Sequence, residues 1–285
     1  MNPEQQIQPD EASSRGKPLA NPETVSLTPK RINFFGLPLS QVSSLHQVVS
    51  IIRNHVERDK PKRAFLVSFI NPQAFHAVRH SPRYLADLRR MDLLLSDGIA
   101  TTLAARLHAK SYIERISFDS TSLALPVFES AARRGLTSIL VGGRPRIVAA
   151  AAERISQNFP GIQIAGTLHG YLPVDELVRR TLELSPRVVV CGMGIQQQEQ
   201  FLTTLADRGW TGCGFTCGGY FDQLVEGLHY YPSIVNQLEM RWAYRLAREP
   251  KRLARRYFVE YMPFWSLCAQ GVAQNILSRM QLGRR

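Results

Sequence analysis

MDLLLSDGIATTLAARLHAK, running from Met91 to Lys110, is the stretch on which the reading of this chain turns. A short apolar run, Leu93-Leu94-Leu95, ends in Ser96-Asp97-Gly98, and a helical pattern follows through Thr102, Ala105 and Leu107. The order is strand, tight turn, helix. In an open α/β sheet such a turn lies at the carboxyl edge of the strands, where ligands bind, so Asp97 is expected to face a crevice. Aspartate is also favoured as a helix N-cap, because its carboxylate accepts the free amide hydrogens of the first turn. At this level both readings of Asp97 stand.

Outward from this unit, strand and helix signals alternate. Arg31 to Gly36 reads as a strand ending in glycine, followed by a helix with Val42, Leu45, Val48, Val49 and Ile52 on one face. Ala64 to Ile70 reads as a strand, Asn71-Pro72 as a turn, and the segment through Phe75 and Val78 to about His80 as a helix. Beyond Lys110, helices are expected at Thr121 to Arg133, Ile147 to Phe159, Pro173 to Leu184 and through Phe201 and Leu205. Strands are expected at Thr137 to Val141, Ile162 to Ala165 and Arg187 to Cys191, before a glycine-rich passage from Gly212 to Gly219. Such alternation predicts an α/β fold: a Rossmann-like, mainly parallel sheet with helices on both faces, plus a basic helical appendage at the C-terminus. No internal repeat is evident.

The ends of the chain differ in composition. Met1 to Lys30 holds five prolines among Gln, Glu, Ser and Asn without an apolar face, and is expected to be a disordered extension. Of the net charge of +12 over 285 residues, residues 241–285 carry +8, from ten arginines and lysines against Glu249 and Glu260. A cationic segment of this kind suits a polyanionic surface, either anionic lipid or nucleic acid. Arg241, Arg245, Arg248, Arg252 and Arg255 recur at spacings that would draw one stripe along a helix, with Pro250 as a kink. Tyr257, Phe258, Tyr261, Phe264 and Trp265 follow, and arginines beside amphipathic aromatics suit a membrane interface or a helix packed on its own domain.

The four cysteines, Cys191, Cys213, Cys217 and Cys268, lack a second pair in zinc-site spacing and read as reduced packing residues. The histidines His76, His80, His108, His169 and His229 also lack ligand spacing. No charged-then-apolar leader opens the chain, and the longest apolar runs fall far short of the roughly 20 residues a membrane span requires. Membrane contact is therefore expected to be peripheral.

Two strand-to-helix turns are rich in glycine. Gly142-Gly143-Arg144-Pro145 and Gly192-Met193-Gly194 place backbone amides where an anion could approach, although glycine serves tight turns without any ligand. Neither is a strict G-x-G-x-x-G followed by an acid about 20 residues on, nor a Walker loop. This weakens a dinucleotide-dependent oxidoreductase reading. A non-enzymatic nucleic-acid-binding role for the basic tail has no recognised motif beside it.

Taken together, Met91 to Leu107, the Val141 to Pro145 turn, the run Val188 to Phe201 and Gly214 to Gly227 resemble the WecG/TagA/CpsF family of bacterial glycosyltransferases, over about residues 31–256. The family pattern of an asparagine followed by Asp-Gly is matched by Asn71 and Asp97-Gly98; its Glu-Arg and later aspartate by Glu114-Arg115 and Asp119. Its Gly-x-Gly with Gln-Glu is matched by Gly192, Gly194, Gln198 and Glu199, and its terminal motif by Trp242, Arg245-Leu246, Glu249-Pro250, Arg252 and Arg255-Arg256. The sequence departs at Phe69, where the pattern has threonine; at Phe118, where it has glycine; at Gln196-Gln197, where it has Pro-Lys; and at Arg241, where it has glutamate.

The resemblance implies transfer of a hexose or N-acetylhexosamine-type sugar, with inversion, from a UDP-sugar to a polyprenyl-diphosphate-linked sugar in surface or exopolysaccharide synthesis. It implies Asp97 as the catalytic base. Donor and acceptor contacts are expected from Asn71, Gly98, Arg115, Gly142, Gly143, Gly192, Gly194 and Gln198. Glu199 reads as a polar contact or a helix-start residue, Asp222 as a donor contact or a loop-ordering residue, and Arg115 as a phosphate ligand or a partner of Asp119. Arg245, Arg252 and Arg255 are expected to hold diphosphate. The chain lacks Asp-x-Asp, so no metal and no other cofactor is expected. The expected organisation is an extension over 1–30, a catalytic domain over 31–230 and a membrane-contact appendage over 231–285. The protein is expected in the cytoplasm at the inner face of the membrane, without a nucleic-acid partner; the sequence is compatible with a homo-oligomer.

Overall fold

The computed structural model describes residues 28–59, 61–228 and 230–282, together with the side chains of all of these except Arg252 and residues 274–282. Most of the expected N-terminal extension and His229 thus lie outside the described residues. Eight strands and thirteen α-helices are described. A hairpin, β1 (Lys30–Phe34) and β2 (Leu37–Gln41), stands apart from a six-stranded sheet of order β4-β3-β8-β7-β5-β6. Those six strands are β3 (Phe65–Ile70), β4 (Leu93–Ser96), β5 (Thr137–Gly142), β6 (Gln163–Leu168), β7 (Val188–Gly192) and β8 (Cys213–Thr216). Every pairing among them is parallel, which brings the six carboxyl ends to one edge.

Side-chain alternation along each strand separates two apolar layers. On one face Phe65, Val67, Phe69, Leu95, Leu140, Val190 and Phe215 pack under α1 (Leu45–Val56), α5 (Ala124–Arg133), α6 (Pro145–Asn158) and α9 (Tyr220–Glu226). On the other, Leu66, Ile139, Val141 and Cys191 meet α7 (Val174–Leu184) and α8 (Gln197–Asp207). Ile70 and Leu94 on that same face meet α2 (Pro72–His80), α3 (Pro82–Arg89), α4 (Ile99–Ala109) and the hairpin. The α/β reading with helices on both faces therefore holds, and the four cysteines are free.

Two features go beyond the sequence reading. The expected single strand at Arg31 to Gly36 is half of a hairpin that turns at Phe35 and Gly36, both at positive φ (51° and 91°), the geometry a two-residue hairpin favours. Beyond α9, the chain forms α10 (Ser233–Gln237), α11 (Arg241–Arg248), α12 (Pro250–Arg255), a π-helical turn (Arg256–Glu260) and α13 (Met262–Leu282). The cationic stripe expected along one helix is interrupted at Glu249, whose backbone leaves the helix (φ −132°, ψ 55°) just before Pro250. Phe264 of α13 is fully buried against Phe75, so part of the tail packs on its own domain.

Candidate functional site

The carboxyl ends of the strands open into a pocket of about 1300 Å³, roofed on one side by the C-terminal helices. Asp97 sits on its wall at the end of β4. Its backbone N–H donates to the Ile70 carbonyl (2.9 Å), and the N-cap position of α4 is taken by Gly98 at φ 80° with no side-chain cap. The aspartate is thus not spent on capping. Burial, assisted by the nearby negative charge of Asp119, pushes its carboxyl from the ordinary 3.8 up to about 6, against the pull of Arg115, Arg245 and Arg241.

Four guanidinium groups line the same pocket: Arg115, Arg241, Arg245 and Arg256. Arg115 pairs with Glu239 (2.8 Å), not with Asp119. Asp119 is instead held by Arg241 (3.1 Å), which also lies over the Tyr231 ring, and by hydrogen bonds from Ser117 and Thr121. Arg245 is set into the wall, where burial opposes its charge while Tyr231, Tyr257, Asp97 and Glu249 together raise its pKa. Arg255 points away, is exposed, and lies 4.0 Å from Glu260. The side chain of Arg252 lies outside the described residues.

The glycines divide into two kinds. Gly143, Gly192 and Gly194 border the pocket, while Gly142 lies behind them. A Cβ on Gly142 would stand 2.3 Å from the Gly192 carbonyl oxygen, and one on Gly192 would stand 2.6 Å from that of Gly218. These residues let three strand-end turns stack, with Gly143 N–H donating to Gly192 O (3.0 Å). Gly170, not anticipated, donates in turn to Gly143 O and joins the wall.

Asn71 caps α2 by accepting from Gln73 N–H (3.0 Å) while facing the pocket, and Asp222 lies exposed at its rim in the first turn of α9. Gln198 lines the pocket, and its Oε1 accepts from Gly218 N–H (3.2 Å). Glu199 is fully buried and stands behind the wall. It accepts from Ser68 Oγ (2.8 Å), Gln198 Nε2 (3.0 Å) and Gln196 N–H (2.8 Å), closing a capping box at the start of α8. Its place is that of a helix-start residue. Burial raises its carboxyl even so.

Several pocket residues stood out in the sequence only within the terminal motif or the aromatic cluster, and not as candidate site residues. Arg256 and Tyr257 reach the pocket from the π-helical turn, whose wider winding departs from the helical period used to read the tail. Gln73 Nε2 ties this turn to α2 through Glu260 Oε2 (2.7 Å). Trp242, Phe258 and Trp265 stand at the mouth, 48%, 71% and 47% exposed.

Over residues 32–277 the sequence matches the profile described as Glycosyl transferase WecG/TagA/CpsF family. The chain belongs to that family. As a WecG/TagA/CpsF glycosyltransferase it is an enzyme, which sets aside both the oxidoreductase and the non-enzymatic readings. It is 27% identical to an N-acetylglucosaminyldiphosphoundecaprenol N-acetyl-beta-D-mannosaminyltransferase of Bacillus spizizenii, over 76% of this chain and 85% of the relative. It is 23% identical to a UDP-Gal:alpha-D-GlcNAc-diphosphoundecaprenol beta-1,4-galactosyltransferase of Shigella boydii, over 70% and 83%. A mannosaminyltransferase of the first kind from Staphylococcus aureus is 22% identical over 79% and 87%. No helix among the described residues of this family member is long and apolar enough to cross a membrane, and none of their His, Cys, Asp and Glu side chains gather in threes or more as a metal site.

Proposed function

We propose that this chain moves a hexose or N-acetylhexosamine-type sugar from a UDP-sugar to a sugar carried on a polyprenyl diphosphate, inverting the anomeric centre without a metal ion. The observation that carries the proposal is the setting of Asp97: a carboxyl on the pocket wall, pushed up to about 6 by burial, with Arg245 set into the same wall. A base of that strength is ionised at neutral pH and still takes a proton readily. The acceptor hydroxyl gives its proton to Asp97 as its oxygen bonds to the anomeric carbon; the bond from that carbon to the UDP oxygen breaks, and UDP departs with the electron pair. In-line displacement inverts the centre.

Negative charge then grows on the departing diphosphate, and oriented cations in a water-poor pocket stabilise it. Arg115, Arg241, Arg245 and Arg256 are suited to this role, with Gly143 and Gly194 allowing close backbone approach. Acceptor chemistry is supported by the relatives, whose names place their acceptors on undecaprenyl diphosphate. A lipid-bound acceptor requires approach to the cytoplasmic face of a membrane. The exposed Trp242, Phe258 and Trp265 beside basic residues suit an interfacial contact at the mouth.

The test is a donor screen by UDP release, using purified protein, a panel of UDP-sugars, a lipid-diphosphate-linked sugar acceptor and chelator throughout. Acceptor-dependent release from a donor is expected. Release that requires added divalent metal would overturn the metal-independent part, and no release from any donor would overturn the reading as a UDP-sugar transferase.

A further inference from the structure

We infer that Phe69 and Phe118 choose the transferred sugar: their rings form an apolar floor next to Asp97 that receives a pyranose by a C–H face and disfavours an acetamido group there. The inference rests on the transferase reading and narrows its donor.

Sheet register fixes the geometry. Phe69 on β3 pairs with Leu95 on β4, so its side chain emerges on the same sheet face as Leu95, and Asp97 follows two residues later. Ser68, the neighbour with a hydroxyl, points to the opposite face, where it is fully buried and bonded to Glu199. Phe118 meets Phe69 edge to face (centroids 6.3 Å apart) and is locked by Phe215, Phe128 and Tyr220 (5.5, 6.0 and 5.8 Å). Both rings line the pocket, yet they are only 9% and 4% exposed. They form a rigid floor, not a mobile rim.

Depth assigns the floor to the donor. An acceptor tethered to lipid must stay near the mouth, where the exposed aromatics stand, whereas a nucleotide sugar enters whole and reaches the bottom. A pyranose presents a face made largely of C–H groups, and an aromatic ring receives such a face without stranding a polar atom. An acetamido group laid against the two rings themselves would exchange water for carbon, and buried polar groups left unmatched are strongly disfavoured.

The experiment compares kcat/KM for UDP-hexoses and UDP-N-acetylhexosamines with one lipid-linked acceptor, and the Kd of each nucleotide sugar and of UDP alone by calorimetry. The intact protein is expected to favour a plain hexose by about tenfold or more. Phe69→Thr is expected to erase most of that preference while leaving UDP affinity unchanged. Should Phe69→Thr fail to fold, Phe69→Leu keeps apolar volume and removes the ring; it is expected to raise the KM and Kd for the preferred hexose, again with UDP affinity unchanged. Preference for N-acetylhexosamines in the intact protein, or a preference unmoved by either variant, overturns the inference. Absence of transfer by the intact protein would refute the transferase reading alone, because the ratio of Kd values still tests the floor.

Discussion

Burial of Asp97 raises its proton affinity and costs stability. Its carboxyl titrates near 6 in the folded protein against 3.8 in the ordinary state, so the folded form binds the proton more tightly and stability falls as pH rises between those values. Above about 6 the full cost is present, up to about 3 kcal/mol for a shift of this size. Asp97→Asn removes the charge and is expected to abolish transfer while leaving the melting temperature at pH 7 equal to or above that of the unchanged protein; retained transfer would remove Asp97 as base. For the unchanged protein, kcat/KM is expected to fall on the acid side with an apparent pKa near 6. Arg245 and Asp119 pull that pKa in opposite directions, so Arg245→Gln should move the acid limb to higher pH and Asp119→Asn to lower pH. A pH–rate profile of the two variants checks both signs.

At the level of elements, the site depends on how closely three turns approach. Gly142 has φ 127° and faces the Gly192 carbonyl so closely that any side chain must push β5 away from β7. Gly142→Ala is expected to destabilise the fold by roughly 3 kcal/mol or more, measured by denaturant unfolding, through both backbone strain and the clash. Gly194→Ala meets no neighbouring atom and bears only the strain of φ 83°, so its loss should be smaller. The sequence marked both turns as candidate anion sites, and glycine content alone did not separate the residue that packs from those that border the pocket. Close approach between segments distant along the chain leaves no local trace. The same holds for Glu199, whose buried partner Ser68 lies 131 positions away.

For the molecule as a whole, the C-terminal segment has two jobs that a deletion would confuse. Arg241, Arg245 and Arg256 complete the pocket, and Phe264 fills the core against α2, so removing residues 241–285 is expected to cost activity and stability as well as any membrane contact. Point changes on the exposed aromatics separate these effects. Phe258→Glu with Trp265→Glu is expected to weaken co-sedimentation with anionic vesicles by tenfold or more, since each aromatic withdrawn from an interface is worth about 1.5–3 kcal/mol. The melting temperature should fall little, because Phe258 is largely exposed and Trp265 about half exposed. Unchanged co-sedimentation would assign membrane contact to another surface.

By itself the sequence determined the parallel α/β architecture and the placement of Asp97, Asn71 and the glycine turns at one sheet edge. Periodicity and turn chemistry are local, and a parallel sheet gathers every strand's carboxyl end on the same side. Tertiary structure alone decided which charges meet there. Arg245, expected to hold diphosphate, lines the pocket together with Arg241 on α11, while the break at Glu249 and Pro250 leaves Arg255 outside it. Asp119 finds Arg241, 122 residues away, in preference to its neighbour Arg115. Arg256 enters through a π-helical turn that no 3.6-residue count anticipates. Pairing among charges depends on distances through space, and those exist only once the chain has closed on itself.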